Sequence, residues 1–129
     1  MTQLKGLSIE TCAISDAGLA HVRGLVNLRT LRIGLTPVTD KGFAHLKDMT
    51  ELRSLDAWST RITNAGLGHV KKLSRLERLD LTDTAITDAG LPALYGLRHL
   101  KRIFLKSTKV TKSGVKQLKK ALPGLEIDY

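Results

Sequence analysis

Any chemistry this chain performs must come from a few candidate side chains among its 129 residues. His21, His45 and His69 recur 24 positions apart, the pattern a metal-binding ladder would show. Asp80 and Asp83 in LDLTDT could serve as paired carboxylates, and Cys12 is the one thiol. Each candidate meets an objection. Histidines on neighbouring helices would stand ~8–10 Å apart, whereas zinc holds its ligand atoms at ~2 Å. Asp80 reads as a sheet-face residue and Asp83 as the end of the strand, which places the two carboxylates apart. Cys12 shares a column with Thr36, Thr60, Thr84 and Thr108, where small groups of weak polarity suit a buried, stacked loop. No glycine-rich phosphate loop, Cys-x-x-Cys pair or Ser/His/Asp motif is present. The reading is a non-enzymatic protein with no metal and no cofactor.

The elements that position these residues follow from a repeat. Leu4, Leu28, Leu52, Leu76 and Leu100 lie 24 positions apart and open imperfect copies of LERLDLTDTAITDAGLPALYGLRH, the fourth copy. A fixed period in the twenties implies a solenoid. The whole chain, 1–129, is then one domain with repeats 4–27, 28–51, 52–75, 76–99 and 100–124 and a terminal strand at 125–129. Within each copy a period of 2 (Leu79 and Leu81 inward, Arg78 and Asp80 outward) gives way to a helical period (Leu91, Leu94 and Leu97), so each copy is one strand and one helix. Ser15-Asp16, Thr39-Asp40, Thr63-Asn64 and Thr87-Asp88 read as helix starts, a hydroxyl meeting free amides and an acid or amide following. Right-handed crossovers place the strands in a parallel sheet. Strands pack ~4.8 Å apart and helices ~8–10 Å, so the sheet lines the inside of a curve. The fold class is an α/β solenoid, a horseshoe segment with the sheet concave and the helices convex. Gly18, Gly42, Gly66, Gly90 and Gly114 recur near the helix starts, where a close approach by the neighbouring copy leaves no room for a side chain.

Strand residues facing away from the core form three rows across the stack. They are Gly6, Thr30, Ser54, Arg78, Arg102; Ser8, Arg32, Asp56, Asp80, Phe104; and Glu10, Gly34, Trp58, Thr82, Lys106. Trp58 is the only tryptophan and is expected to be exposed, beside a copy whose usual inward Leu or Ile is Ala57. Asp56 and Asp80 fall on adjacent strands, a like-charge pair that needs Arg32, Arg78 or a ligand to offset it. Aromatic and arginine anchors dominate protein interfaces. The candidate ligand-binding residues on the concave face are therefore Arg32, Asp56, Trp58, Arg78, Asp80, Arg102, Phe104 and Lys106.

The net charge of +9 raises nucleic acid as a partner. Many cations recur near predicted helix ends (Arg23, Lys47, Lys71, Lys72, Arg75, Arg98, Lys119, Lys120) or just after them (Lys5, Arg29, Arg53, Lys101), where they complement helix dipoles. The aromatic-interleaved track of a single-strand binder is missing, which argues against nucleic acid. No apolar run reaches the ~18 residues of a membrane span, and Met1-Thr2-Gln3 has no leader-like character, so a cytoplasmic setting away from membranes is expected. A single cysteine allows no internal disulfide. The first strand begins almost at once and has no cap before it. That unpaired edge predicts weak self-association.

The strings ISDAGL, VTDKGF, ITNAGL and ITDAGL after an LxxLxL strand resemble leucine-rich repeats of the ribonuclease-inhibitor-like type. They are especially similar to bacterial repeat proteins and to the cysteine-containing repeats attached to F-box proteins. Four of five copies have Thr where those repeats have Cys, and there is no F-box segment. The resemblance implies a non-enzymatic scaffold that presents a protein or peptide partner to its sheet face. The alternatives are a basic scaffold for nucleic acid, and a structural or engineered array with no ligand of its own.

Overall fold

The computed structural model describes residues 3–129; Met1 and Thr2, of the stretch Met1-Thr2-Gln3, lie outside the described residues. Six strands form one parallel sheet in chain order: β1 (Gly6–Ser8), β2 (Thr30–Arg32), β3 (Ser54–Asp56), β4 (Arg78–Asp80), β5 (Arg102–Phe104) and β6 (Glu126–Asp128). Their inward residues align as Leu7, Leu31, Leu55, Leu79, Ile103 and Ile127, a register of 24 at every step. No copy can bury this row alone, and stacking does so: one continuous apolar core runs from Leu19 to Leu125 between the sheet and the outer elements. The chain is a right-handed solenoid with the sheet on the concave face.

The outer elements are shorter than the expected helices. They are α1 (Asp16–Ala20), α2 (Asp40–Phe43), α3 (Asn64–Leu67) and α4 (Lys112–Ala121); 3₁₀ turns at Ala44–Leu46 and Gly68–Val70 prolong α2 and α3. The fourth copy is 3₁₀ throughout, Asp88–Leu94. Pro92 explains this, because it has no N–H to donate to a carbonyl four residues back. Only the fifth copy builds a long helix. Its extra residue is absorbed before β6, since Leu125 stands two positions from Ile127 where Leu100 stands three from Ile103, so the register is kept.

Three members of the threonine column are buried as expected, Thr36, Thr60 and Thr84 at 4–7% exposed, and Thr108 is half-buried. Each buried hydroxyl donates to the carbonyl three residues back, on Ile33, Ala57 and Leu81, at 2.7–2.8 Å. Cys12 departs from the column. It is exposed, because no copy stacks on its outer side. The chain also leaves each of the first five strands through a left-handed residue, Thr11, Leu35, Ser59, Asp83 and Ser107, with φ of 50–60°. None of these is glycine, so each costs about 1 kcal/mol of backbone strain.

A second ladder joins the outer turns. The carboxylate of Asp40 accepts the Thr63 amide at 2.7 Å and the Thr63 hydroxyl, so the acid of one copy orders the helix start of the next. Asp16 does the same for Thr39 and Asp88 for Thr111. Asn64 keeps the geometry without charge, accepting the Thr87 amide at 3.0 Å and donating to the Thr87 hydroxyl at 2.7 Å. The hydrogen bonds from the Thr111 hydroxyl, and then from its amide, hold the Asp88 carboxyl below the ordinary aspartate value. A carboxylate with a depressed folded pKa stabilises above its unfolded value, about 3.9, and this is lost as pH falls through the lower folded value. Asp88→Asn is therefore expected to lower the thermal midpoint at neutral pH, with the gap to the parent closing below about pH 4. A gap independent of pH would show that the charge plays no part.

Candidate functional site

The concave face is built from the outward residues of six stacked strands, and the register places the first two expected rows as read from the sequence. The third row continues the same ladder, with Leu35 N–H donating to Trp58 C=O and Ser59 N–H to Thr82 C=O, both at 2.8 Å. β6 lengthens the rows by Glu126 and Asp128, which pair with Arg102 and Phe104.

The eight candidate residues are joined into one chain of contacts. Asp56, only 8% exposed, lies between Arg32 at 3.2 Å and Arg78, so the like charge of Asp80 on the next strand is offset from within the face. Arg32 also reaches Glu10 at 3.3 Å. Asp80 accepts the Thr82 amide at 3.0 Å and has Arg78 at 4.0 Å. Phe104 is held between two guanidinium groups, Arg78 at 4.6 Å and Arg102 at 4.8 Å from the ring centre, in cation–π geometry. Arg102 and Lys106 in turn face Asp128 at 3.7 and 3.9 Å.

Trp58 departs from expectation. It is half-buried, and its indole N–H donates to Glu10 at 3.1 Å across the face. Gly34 makes this possible. A Cβ built at Gly34 would fall under 3.0 Å from the indole ring, so the ring rests where the neighbouring strand has no side chain. Glu10 and Gly34 were both in the third row, but only contact across 48 residues of sequence reveals their role. Asp56 likewise serves as an internal tie, which leaves Asp80 as the carboxylate less committed to its own arginines.

The histidines do not assemble. His21 is exposed, His45 and His69 are half-buried, and among the described residues no three His, Cys, Asp or Glu side chains group to hold a metal. Asp83 accepts the Ser59 hydroxyl at 2.6 Å, apart from the contacts of Asp80. No helix among the described residues is long and apolar enough to cross a membrane.

Comparison with known proteins agrees with this architecture. An internalin of Listeria monocytogenes, inlF, superposes with a TM-score of 0.85 at 26% identity, covering 99% of this chain and 35% of its own. Internalin C2 of the same organism gives 0.77 at 24% identity, covering 98% and 52%. A leucine-rich-repeat protein of Leptospira interrogans gives 0.67 at 20% identity, covering 85% and 27%. The chain thus spans between about a quarter and half of the length of these structures. No curated protein sequence matches it. Residues 50–110 match the leucine rich repeat family, and the chain as a whole has the fold of a leucine-rich-repeat solenoid.

Proposed function

We propose that the protein is a non-enzymatic interaction module that binds a protein or peptide on its concave sheet face. The observation that carries this reading is Phe104 fixed between Arg78 and Arg102. Binding a partner freezes side chains, and anchors already held in place lose less freedom. The carboxylates and the Phe104 ring have ordered these two arginines beforehand, and guanidinium groups suit an acidic side chain or a chain terminus of the partner. Asp80, the carboxylate least committed to its own arginines, suits a lysine or arginine of the same partner. Arg32, Asp56 and Lys106 frame these anchors.

The 24-residue register and the ITDAGL strings support the ribonuclease-inhibitor-like subtype, while the short outer turns depart from its helical pattern. The single cysteine supports a cytoplasmic setting. Capture of partners by the parent and by a Trp58→Ala, Phe104→Ala double variant tests the binding face. A genuine partner should lose at least about 2 kcal/mol, roughly thirtyfold, with denaturation curves verifying that both proteins are folded at the assay temperature. Equal affinity for the two proteins would leave the array with no ligand on this face.

Weak self-association through the first copy is a second part of the reading. β1 is paired on one side only, and Leu4 and Val26 are 37% and 43% exposed beside it. Sedimentation should show a small dimer fraction at high concentration that a Val26→Ser variant reduces. A strict monomer would remove it.

A further inference from the structure

The net positive charge of the molecule comes from one edge. Backbone bonds stack Lys5, Arg29, Arg53, Glu77 and Lys101 one above another, each amide donating to the carbonyl of the copy before at 2.7–2.8 Å. A second column, one repeat period at a time, is Arg23, Lys47, Lys71, Tyr95 and Lys119. With Lys72, Arg75, Arg98 and Lys120, the connections from outer turn to strand, together with Lys5 before β1 and Lys119 and Lys120 in the last turn of α4, hold 12 basic and 3 acidic residues (Asp48, Glu51, Glu77), a net +9. The rest of the chain then has 21 − 12 = 9 basic and 12 − 3 = 9 acidic residues, a net charge of zero.

Helix dipoles do not account for this. The column from Lys5 to Lys101 stands at the starts of the strands, beyond the outer turns. All 12 cations are exposed; Arg75 pairs with Glu51 at 2.7 Å and Lys101 with Glu77 at 3.0 Å, Arg53 also acts on Glu77 through its charge, and Lys119 donates to the Leu125 carbonyl. Like charges held in line repel one another, and an anionic rod laid along them would relieve that repulsion. Arg53, Arg75, Glu77, His99 and Lys101 line an open depression of about 300 Å³ on the same edge, room for a phosphate group.

We propose that this edge docks the phosphate backbone of a nucleic-acid duplex. Four steps of ~4.8 Å make the column about 19 Å long, the axial length of roughly five phosphates of one strand. A single strand would need bases stacked on aromatic rings. The one aromatic residue on this edge, Tyr95, is half-buried against the core. A membrane would need apolar anchors along the columns, whereas the exposed Leu4 and Val26 lie only at the first copy.

The test measures binding of a 20-base-pair DNA duplex of arbitrary sequence by fluorescence anisotropy across a salt series. About five neutralised phosphates predict a roughly 500-fold loss of affinity for a fourfold rise in salt. One variant carries Arg29→Gln, Arg53→Gln, Lys71→Gln and Lys101→Gln; a second, of equal net charge, carries Arg61→Gln, Lys109→Gln, Lys112→Gln and Lys116→Gln. All eight positions are exposed, and denaturation midpoints verify that both variants fold. The first should lose at least about tenfold in affinity with a flatter salt dependence, and the second should stay near the parent. Equal losses in the two variants, or binding indifferent to salt, would overturn the proposal. So would a parent that binds a sulfated polysaccharide or anionic vesicles yet leaves the duplex free at low salt.

Discussion

Leu79→Ala is expected to lower the unfolding free energy by about 3–5 kcal/mol, whereas Leu7→Ala, the same change at the same place in the repeat, should cost about 1 kcal/mol. Leu79 is 0% exposed, with β3 on one side and β5 on the other. Truncation there removes the burial of the leucine and leaves a cavity that a close-packed stack cannot collapse. Leu7 is half-buried and has a neighbouring strand on one side only, so truncation removes contacts already shared with water. Because the buried residues form one continuous cluster, each variant should unfold in a single urea transition with an unchanged slope. Equal costs at the two positions would contradict the view that each copy is buried by its neighbours.

The comparison of these two leucines also shows what a periodic sequence makes legible. A residue at a fixed place in a stack has its direction decided by the repeat, so the core row, the three outward rows and the buried threonines were readable from spacing alone. End effects were not. Cys12 obeys the frame and is exposed, because burial depends on a neighbour that the frame does not supply. Contacts across copies were half legible. The recurrence of Asp or Asn at 16, 40, 64 and 88 and of Thr at 39, 63, 87 and 111 was visible, but it read as capping within each copy. Those caps exist, the Thr39, Thr63, Thr87 and Thr111 hydroxyls accepting the Lys41, Ala65, Ala89 and Gly114 amides. A second set of bonds, however, runs from one copy to the next. On the concave face, the rows were legible and the pairings were not. Glu10, Arg32, Asp56 and Arg78 offer several ways to match charges, and the seat of Trp58 on Gly34 depends on a ring leaning across a strand. Nothing in the structure explains why the third copy has Ala57 in the core where others have Ile or Leu.

The bond between copies makes the glycine column the other place where a single change should have a large effect. Gly66→Leu is expected to cost about 3 kcal/mol or more. A Cβ at Gly66 would stand under 3.0 Å from the Asp40 carboxylate and 3.4 Å from the Asp40 backbone, so either the copies separate or the aspartate leaves. Overpacking alone costs about 1–3 kcal/mol, and expelling Asp40 also breaks its bonds to the Thr63 amide and hydroxyl. Two controls isolate the cause. Gly68 lies two residues further along, has φ of −60° and would meet nothing within 4 Å, so Gly68→Ala should be neutral or stabilise by about 0.4–1 kcal/mol. Asp40→Ala removes the obstructing carboxylate, so Gly66→Ala should cost less in that background than in the parent, by about 1 kcal/mol in a double-mutant cycle. Additive effects in the cycle, or a loss at Gly68 equal to that at Gly66, would mean that the glycine is required by the turn itself and not by the aspartate of the preceding copy.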